Sequence, residues 1–430
     1  MSSLELDRID ITDPELYCGE RGFPWREWDL LRREAPVYWY DRPGFAPFWA
    51  ITRHADVLEI SKHSEVFVNS SRLRLASLED DARMQHSVRR RNERMGWDPD
   101  EPLDLVFMDD PKHRRLRLLT ASAFTPAALR RMERELDSMA REFAREFAAQ
   151  LEREGACDFV EAFAVKLPLA TIGHMMDLPP GDWMRLKVLT NVTLGAHEPS
   201  FLREGEPLVR ARERASRELV DYMLELTARR RSEGARGDDL TATLLRAQLD
   251  GAPLSEQQLI GYLVLLLGAG NETTRNAISG GVQALLEHPE QRDRLCANPG
   301  LVHAASEEIL RWTSPVVQFA RTAVEDFELR GVTIRAGQDV GMFYPSANRD
   351  EEVFPEPYQF DVARRPNNHL AFGGYGAHFC LGANLARWEL RAALRALLPV
   401  LPRMRLGGRE TRVPFLHVPA IQHLPVQRAA

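Results

Sequence analysis

The chain has 430 residues, of which 44% are apolar and 28% are charged, a composition ordinary for a globular protein. Its 56 basic and 63 acidic residues give a net charge of −7, which argues against nucleic acid as the main partner, because a polyanion binder usually presents a positive field. The longest apolar run, residues 259–270, is much shorter than the stretch of about 20 residues that spans a bilayer.

The cysteines and the N-terminal residues indicate a cytoplasmic protein. The cysteines are Cys18, Cys157, Cys296 and Cys380. Because no two of them are close in sequence, neither a disulfide framework nor a structural zinc site is predicted. Residues 1–25 contain no basic stretch followed by an apolar one, so no secretory signal is predicted.

The predicted elements begin with a pair of strands. Residues 36–40 and 46–52 are rich in aromatic and β-branched residues, and an Asp-Arg-Pro-Gly sequence typical of turns joins them. Residues 72–106 are polar, charged and interrupted by proline, so we expect a long irregular loop there. Loops of that length inside a compact domain are usually functional or mobile.

From about residue 111 to about residue 310 the apolar pattern is helical. Thr125 followed by Pro126 predicts a helix start, and apolar residues recur after it at spacings of three and four. Ser255 and Gln258 form a capping-box pattern ahead of a helix that is expected to end near Leu286 and to be central, because it is apolar on most sides.

The last third of the chain predicts short strands over residues 316–340, a helix over residues 380–398, and strand or coil after it. The chain is therefore expected to be mainly α with small β sheets, in one large helix-rich domain over residues 1–430. Its β-containing N-terminal part covers about residues 30–70, and its helical core covers about residues 111–400.

Cys380 lies where a glycine-rich turn meets the start of a predicted helix, in the sequence Phe-Gly-Gly-Tyr-Gly-Ala-His-Phe-Cys-Leu-Gly. Exposed amides and the helix dipole at such a position stabilise a thiolate. Gly382 would let a flat cofactor lie close to the helix. Three glycines are able to adopt positive φ and let backbone N–H groups approach the sulfur: Gly373, Gly374 and Gly376. These features suit a thiolate that binds haem iron, and the alternative is a buried cysteine beside an ordinary loop.

This segment resembles the signature of the cytochrome P450 family, Phe-Gly-x-Gly-x-His-x-Cys-x-Gly. The matching residues are Phe372, Gly373, Gly376, His378, Cys380 and Gly382. Phe372 lies one residue further from the cysteine than is usual, a spacing similar to that of bacterial members that oxidise sterols and branched lipids. The resemblance implies that Cys380 is the proximal ligand of a haem b iron, and that Phe372, His378 and Gly382 border the cofactor.

The predicted central helix carries Gly-Asn-Glu-Thr-Thr directly after Ala269. A glycine inside a helix costs about 1 kcal/mol relative to alanine, so Gly268 and Gly270 need a reason. The segment resembles the family's oxygen-activation motif, which implies that Ala269 borders the haem and that Glu272 and Thr273 deliver protons. The residues alone leave an alternative, a polar patch in which Thr273 donates a hydrogen bond to its own i−4 carbonyl.

Two further sets of residues follow the family's order along the chain. Glu308 and Arg311, at i and i+3, resemble its Glu-x-x-Arg helix, with Arg364 as a structural third partner. The resemblance also implies cationic partners for the haem propionates, although each alone is more often a solvated surface charge. These candidates are His113, Arg117, Arg321 and His378.

The resemblance implies a haem-thiolate monooxygenase that inserts one atom of dioxygen into a hydrophobic substrate of the steroid, terpenoid or fatty-acid type. Electrons are expected from a separate ferredoxin-type donor with its reductase, because the chain has no such motif. Lys112, Arg114 and Arg115 form a candidate basic docking patch for an acidic donor. Pocket walls in the family come from the regions 72–108 and 190–205, from the central helix and from the strand after Glu-x-x-Arg.

Two other functions remain open at this point. A peroxygenase of the same fold would use hydrogen peroxide directly, but such enzymes typically lack the acid–alcohol pair found at Glu272 and Thr273. A non-catalytic haem-thiolate sensor or carrier would need neither that pair nor an open pocket.

Overall fold

A computed structural model of the chain describes residues 6, 8–18, 23–102, 104–193 and 201–429. Helices account for 55% of the chain, which confirms the mainly α class with small sheets. Within the described ranges, no helix combines the length and the apolar character that a membrane crossing requires.

The helices and strands have the following bounds. In chain order, the helices are α1 (Glu15–Cys18), α2 (Trp25–Glu34), α3 (His54–Lys62), α4 (Leu78–Met95), α5 (Lys112–Ala121), α6 (Pro126–Glu154), α7 (Lys166–Met175), α8 (Trp183–Thr193), α9 (Leu208–Ser232), α10 (Leu240–Arg246), α11 (Glu256–Glu287), α12 (Pro289–Ala297), α13 (Val302–Thr313), α14 (Tyr344–Ala347) and α15 (Ala383–Leu397). The strands are β1 (Val37–Tyr40), β2 (Phe48–Ile51), β3 (Phe67–Val68), β4 (Ala156–Asp158), β5 (Gln248–Leu249), β6 (Ala252–Pro253), β7 (Gln318–Ala323), β8 (Phe327–Leu329), β9 (Val332–Ile334), β10 (Asp339–Phe343), β11 (Met404–Leu406), β12 (Thr411–Arg412), β13 (Ile421–His423) and β14 (Pro425–Arg428).

Contacts within the chain group it into two compact units. The first contains Met1–Ala82, Asn276–Cys380 and Leu398–Ala430, and the second contains Arg83–Arg275 and Leu381–Leu397. The extent of one domain over residues 1–430 stays a prediction.

The first unit is built on a five-stranded sheet with the order β1-β2-β10-β7-β3. Strands β1 and β2 pair antiparallel, with Val37 opposite Ile51, which confirms the predicted hairpin. Strand β10 lies parallel to β2 and antiparallel to β7. Because side chains alternate across a strand, one set of the sheet's residues packs into a core around Trp28, Phe48 and Phe343.

The second unit is helical, and its predicted caps are confirmed. The Thr125 hydroxyl accepts a hydrogen bond from the backbone N–H of Ala128, at 3.3 Å, at the start of α6. Ser255 and Gln258 bond reciprocally, each side chain to the other's backbone N–H at 3.1 Å, ahead of α11. Apolar residues of α11 between Leu259 and Leu267 pack into one core with residues of α6, α9 and α15. The helix expected to be central is therefore central to this unit.

The prediction of an irregular loop over residues 72–106 is wrong, because 18 of these residues form α4. Only Asn92 is buried in this helix, so the sequence has no apolar stripe for a periodicity argument to find. Its ends carry the charges that a helix dipole favours, with Glu79 to Asp81 in the first turn and Arg94 in the last. Only the charges at its ends and the helix propensity of its residues could have indicated this helix in the sequence.

Candidate active site

The cysteine loop belongs to the first unit and leaves the Cys380 side chain exposed. The backbone N–H of Cys380 donates to the carbonyl oxygen of Phe372, at 3.1 Å, so the loop closes on itself just before α15 begins at Ala383. Gly373 and Gly376 have φ of +85° and +114°, as predicted. The loop therefore places Cys380 three residues before the first residue of α15.

The third predicted glycine, Gly374, does not have a positive φ. Glycine is required at this position by a close contact with α3, since a Cβ atom there would lie 2.4 Å from the Ser61 hydroxyl oxygen. At Gly376 a Cβ atom would lie 2.1 Å from the Ser61 carbonyl oxygen. Atoms cannot approach so closely, so both positions need glycine for the loop to pack against this helix.

Three other predicted cofactor residues lie in the first unit. Nδ1 of His378 is 3.1 Å from the side-chain nitrogen of Asn69, which fixes the ring. Arg321 is on β7 and is 8% exposed, and its guanidinium donates to the carbonyl oxygen of Ala320 at 2.7 Å. The Phe372 ring is half-buried, with its centroid 6.4 Å from that of Phe379.

The remaining predicted propionate partners, His113 and Arg117, lie one turn apart on α5 in the second unit. His113 is 2% exposed, and its Nδ1 is 3.5 Å from the Asp110 carboxylate. Burial lowers the pKa of His113, and the Arg117 charge lowers it further. His113 is therefore neutral at pH 7, and it suits a hydrogen-bonding role better than a charged one.

The part of α11 in the second unit is mostly buried, yet one line along it is open. Leu265 and Thr273 are half-buried and Ala269 is exposed, and these residues follow each other at i+4. A Cβ atom on Gly268 would meet nothing within 4 Å, whereas one on Gly270 would lie 3.4 Å from the Ile172 side chain. Glycine thus occurs at these two positions for different reasons. Gly268 borders an open space, whereas Gly270 packs against Ile172 of α7.

The structure gives the predicted acid and alcohol their own partners within α11. The Thr273 hydroxyl donates to the Ala269 carbonyl oxygen at 2.9 Å, which is the alternative that the residues alone had left open. Glu272 is 5% exposed and forms an ion pair with Arg275. Arg275 also donates to the side-chain oxygen of Asn191, at 3.1 Å. Glu272 is therefore held as a paired carboxylate.

Glu389, on α15, is a buried acid that sequence reasoning missed. It is 1% exposed, and the hydroxyls of Thr171 and Thr274 hydrogen-bond to it. Burial raises the pKa of Glu389 to about 8, so the carboxyl is protonated at neutral pH. The Thr171 hydroxyl already donates to the Leu167 carbonyl oxygen, at 2.8 Å, which leaves its oxygen free to accept the carboxyl proton.

A signal for Glu389 was present in the sequence. It lies four residues after Leu385 and four before Ala393, both of which are buried. Residues at this spacing share one face of a helix, so the amphipathic pattern of α15 places an acid on its inward face.

We expect Glu389→Gln to remove a pH-dependent loss of stability. Because the pKa of about 8 in the folded chain exceeds the usual value of 4.5, the folded chain holds this proton more tightly. The free energy of unfolding therefore falls as the pH rises from 4.5 to about 8. The loss is at most about 5 kcal/mol, since one pKa unit corresponds to about 1.4 kcal/mol.

Urea denaturation at two pH values measures this effect. The stability of Glu389→Gln relative to wild type should improve by about 2–4 kcal/mol between about pH 5 and about pH 8. The matched control is Glu142→Gln, which changes an exposed glutamate and should show no such difference. An equal difference from wild type at both pH values would contradict the buried, protonated state.

The residues present fit a haem on two observations. The Cys380 thiol is exposed, so a metal ion is able to reach it. A Cβ atom on Gly382 would meet no atom within 4 Å, which leaves room for a flat group beside the start of α15. Both features are what a thiolate-bound planar cofactor requires.

Known proteins resemble the chain over most of its length. A family model described as Cytochrome P450 matches residues 297–400. The methyl-branched lipid omega-hydroxylase of Mycobacterium tuberculosis is 38% identical, over 92% of this chain and 89% of the relative. The steroid C26-monooxygenase of the same species is 38% identical, over 92% of this chain and 87% of the relative. The structure of a Mycobacterium marinum cytochrome P450 in complex with pseudoionone matches with a TM-score of 0.85 and 34% identity, over 98% of both chains.

Proposed function

The chain belongs to the cytochrome P450 family and is a haem-thiolate monooxygenase, and on that premise we propose that it oxidises a lipid of the steroid, terpenoid or fatty-acid type. The observation that carries this proposal is the open, mainly apolar line of Leu265, Ala269 and Thr273 on the mostly buried part of α11 in the second unit. Such a line suits an apolar substrate, because ligand pockets are lined mostly by apolar side chains. The names of the relatives support the same substrate class.

We propose that Cys380 is the thiolate ligand of a haem b iron and that Phe372, Ala269 and Gly382 border the cofactor. When bound, the haem supplies the redox chemistry by which one oxygen atom of dioxygen enters a substrate C–H bond. The exposure of Cys380 supports its assignment as the iron ligand. The open space at Gly382 supports the assignment of this residue to the border of the cofactor.

The proposed propionate partners are His113, Arg117, Arg321 and His378. Arg321 is held by β7 and is nearly buried, so its charge is little screened by water. His113 would contribute a hydrogen bond and Arg117 the charge on α5, because burial keeps the histidine neutral.

We propose that Thr273 and Glu272 control proton delivery on α11. The Thr273 hydroxyl lies on the open line, and rotation about its Cα–Cβ bond would release it from the Ala269 carbonyl oxygen. Glu272 must leave Arg275 before it can take up and pass on a proton. The ion pair therefore prevents proton transfer through Glu272 between turnovers. The pair also keeps the charge of a buried carboxylate compensated.

The proposed electron donor is a ferredoxin-type protein with its reductase, in the cytoplasm. In the predicted docking patch, Lys112 is paired with Glu101 at 2.5 Å and Arg115 with Asp250 at 2.5 Å. Arg114 is exposed and forms no ion pair among the described residues. The patch would therefore attract an acidic donor mainly through Arg114, with the other two exchanging partners on docking.

Turnover with a surrogate ferredoxin system and dioxygen tests the proposed function. We expect hydroxylated products from at least one member of a panel of steroids, terpenoids and fatty acids, preceded by a substrate-induced spin-state change in the absorption spectrum. Product with hydrogen peroxide alone would favour the peroxygenase, and no product with either oxidant would favour a sensor or carrier.

In the same assay, we expect Thr273→Ala to divert electrons from product into hydrogen peroxide, because the side chain that passes protons on is missing. The peroxide formed per electron pair should rise severalfold, whereas substrate binding should change little. Thr193→Ala serves as a control, since that hydroxyl also donates to its own i−4 carbonyl oxygen, on α8. Unchanged coupling in Thr273→Ala would contradict the role in proton delivery.

A further inference from the structure

A cluster of arginines surrounds a cavity in the second unit that has no role in the site described above. The cavity has a volume of about 250 Å³ and lies between α4 and α9. Its lining consists of Ser87, Arg90, Arg91 and Arg94 from α4, and of Glu213, Ser216 and Arg217 from α9. Four arginines, two serines and one glutamate thus line one small space, in a chain whose net charge is −7.

Much of this positive charge has no ion-pair partner among the described residues. Arg90 and Arg217 form no ion pair in the described part of the chain. The Glu213 carboxylate accepts from Arg210, which lies outside the cavity lining, at 3.0 Å. Arg94 has a carboxylate partner, Asp221, at 3.7 Å. The arginines of the cluster therefore repel one another, and an anion in the cavity would relieve that repulsion.

One arginine is held in place by neutral groups. Arg91 donates twice to the side-chain oxygen of Asn92, at 2.9 and 3.1 Å, and its guanidinium carbon is 5.5 Å from the centre of the Trp97 ring. Burial lowers the pKa of Arg91 and the charge of Arg94 lowers it further, although Asp104 opposes both. Arginine nevertheless stays protonated in proteins. The two hydrogen bonds of this cation thus go to a neutral amide oxygen, although the Asp104 carboxylate lies close enough to affect its charge.

The cluster is joined to the start of α11, the helix that carries the open line. Trp97, two residues beyond α4, donates to the Glu256 carboxylate at 3.1 Å, and the Gln257 side chain donates to the Asp98 carbonyl oxygen at 3.0 Å. From Glu256 to Ala269 the helix rises by roughly 20 Å. Gly261 and Leu265 are half-buried along this stretch, so the open line begins near the cluster.

We propose that this arginine cluster binds the anionic head group of an elongated substrate, a carboxylate or a phosphate, while the apolar tail lies along α11 towards Ala269. Guanidinium groups suit both anions, because their paired N–H groups match two oxygens of either one. The inference rests on the proposed function and names the substrate class more closely, as an anionic amphiphile. Such an arrangement would place the far end of the tail, and not the carbon next to the head group, at the reacting position.

Optical titration of the haem-loaded enzyme tests this inference, with the spin-state change as the measure of binding. The ligands are hexadecanoic acid, its uncharged methyl ester and its coenzyme A thioester. We expect the wild type to bind a charged ligand about tenfold more tightly than the ester, and this advantage to shrink as salt rises from about 0.05 M to about 0.5 M. An advantage of the acid identifies a carboxylate as the ligand, and an advantage of the thioester alone identifies the phosphates.

The test variant is Arg90→Gln/Arg217→Gln, which removes two charges from the exposed side of the cluster. It should lose the tenfold advantage and keep the affinity for the methyl ester. The matched control is Arg89→Gln, which neutralises an exposed arginine of α4 outside the cavity lining and should bind all three ligands as the wild type does.

The outcomes separate this inference from the proposed function. Equal affinities for acid, thioester and ester in the wild type, or an equal loss for every ligand in the double variant, would overturn the anion site alone. If none of the three ligands changed the spectrum but a neutral steroid or terpenoid did, the anion site would again be overturned and the proposed function would stand. No response to any member of the panel would overturn both.

Discussion

Glu308→Gln is expected to lower the free energy of unfolding by about 3–5 kcal/mol, because it leaves buried arginine charge without its partner. Glu308 and Arg311 are both fully buried on α13 and share two hydrogen bonds of 2.8 Å. Arg364 reaches the same carboxylate at 3.2 Å. Two buried guanidinium groups thus share one carboxylate as their ion-pair partner.

The rest of this network explains why glutamine is a poor substitute. The Glu308 carboxylate also accepts from the Asp361 backbone N–H, at 3.0 Å, and from the Asn367 side chain, at 3.1 Å. A glutamine has one acceptor oxygen instead of two, and its amide N–H groups would face donors. The substitution therefore removes a charge and also leaves buried donors without acceptors, which adds to the cost.

Urea denaturation followed by circular dichroism measures the effect, with Glu59→Gln as the control. Glu59 forms ion pairs with Lys62 and His63 on the surface, where such pairs contribute about 0–1 kcal/mol. If Glu308→Gln cost no more than Glu59→Gln, the buried network would not be the stabilising element described above.

Local signals in the sequence predicted several elements well. A hydroxyl before Pro126 marked the start of α6, and the Ser255–Gln258 pair marked α11, because a cap needs only a few neighbouring residues. The hairpin of β1 and β2 was predictable for the same reason. The prediction for the residues of α4 failed because an exposed, charged helix lacks a clear periodic pattern of apolar residues.

Burial of the Glu272–Arg275 and Glu308–Arg311 pairs was a property that the sequence could not reveal. Glu272 and Arg275 have the same i, i+3 spacing as Glu308 and Arg311, and both pairs are buried. The motifs nevertheless indicate a structural role for Glu308 and Arg311 and a role in proton delivery for Glu272. Spacing alone shows that two side chains share a helix face, and only the packing of other elements decides whether they meet water.

The walls of the substrate pocket stay a prediction. The central helix was visible in the sequence as a long apolar helix interrupted by glycine, and its Leu265 and Ala269 lie on the open line. In the region 190–205, residues 194–200 lie outside the described residues. The arginine cluster was not predictable, since it depends on two helices, one of them unexpected, that bring Arg90 and Arg217 to one cavity.

Cys380→Ser is the second change with a large expected effect, because all of the proposed chemistry depends on one sulfur ligand. A hydroxyl at this position cannot supply the electron density that a thiolate gives to the iron, so monooxygenase activity should be abolished. Cys296→Ser is the matched control. That thiol is half-buried and donates to the Leu398 carbonyl oxygen at 3.7 Å, so its replacement should leave activity unchanged.

The most direct measurement of the central claim is the absorption spectrum of the reduced carbon monoxide complex of the wild type, Cys380→Ser and Cys296→Ser. We expect the thiolate-type band in the wild type and in Cys296→Ser, and its loss in Cys380→Ser. A thiolate-type band that persisted in Cys380→Ser would contradict the assignment of this residue as the haem ligand.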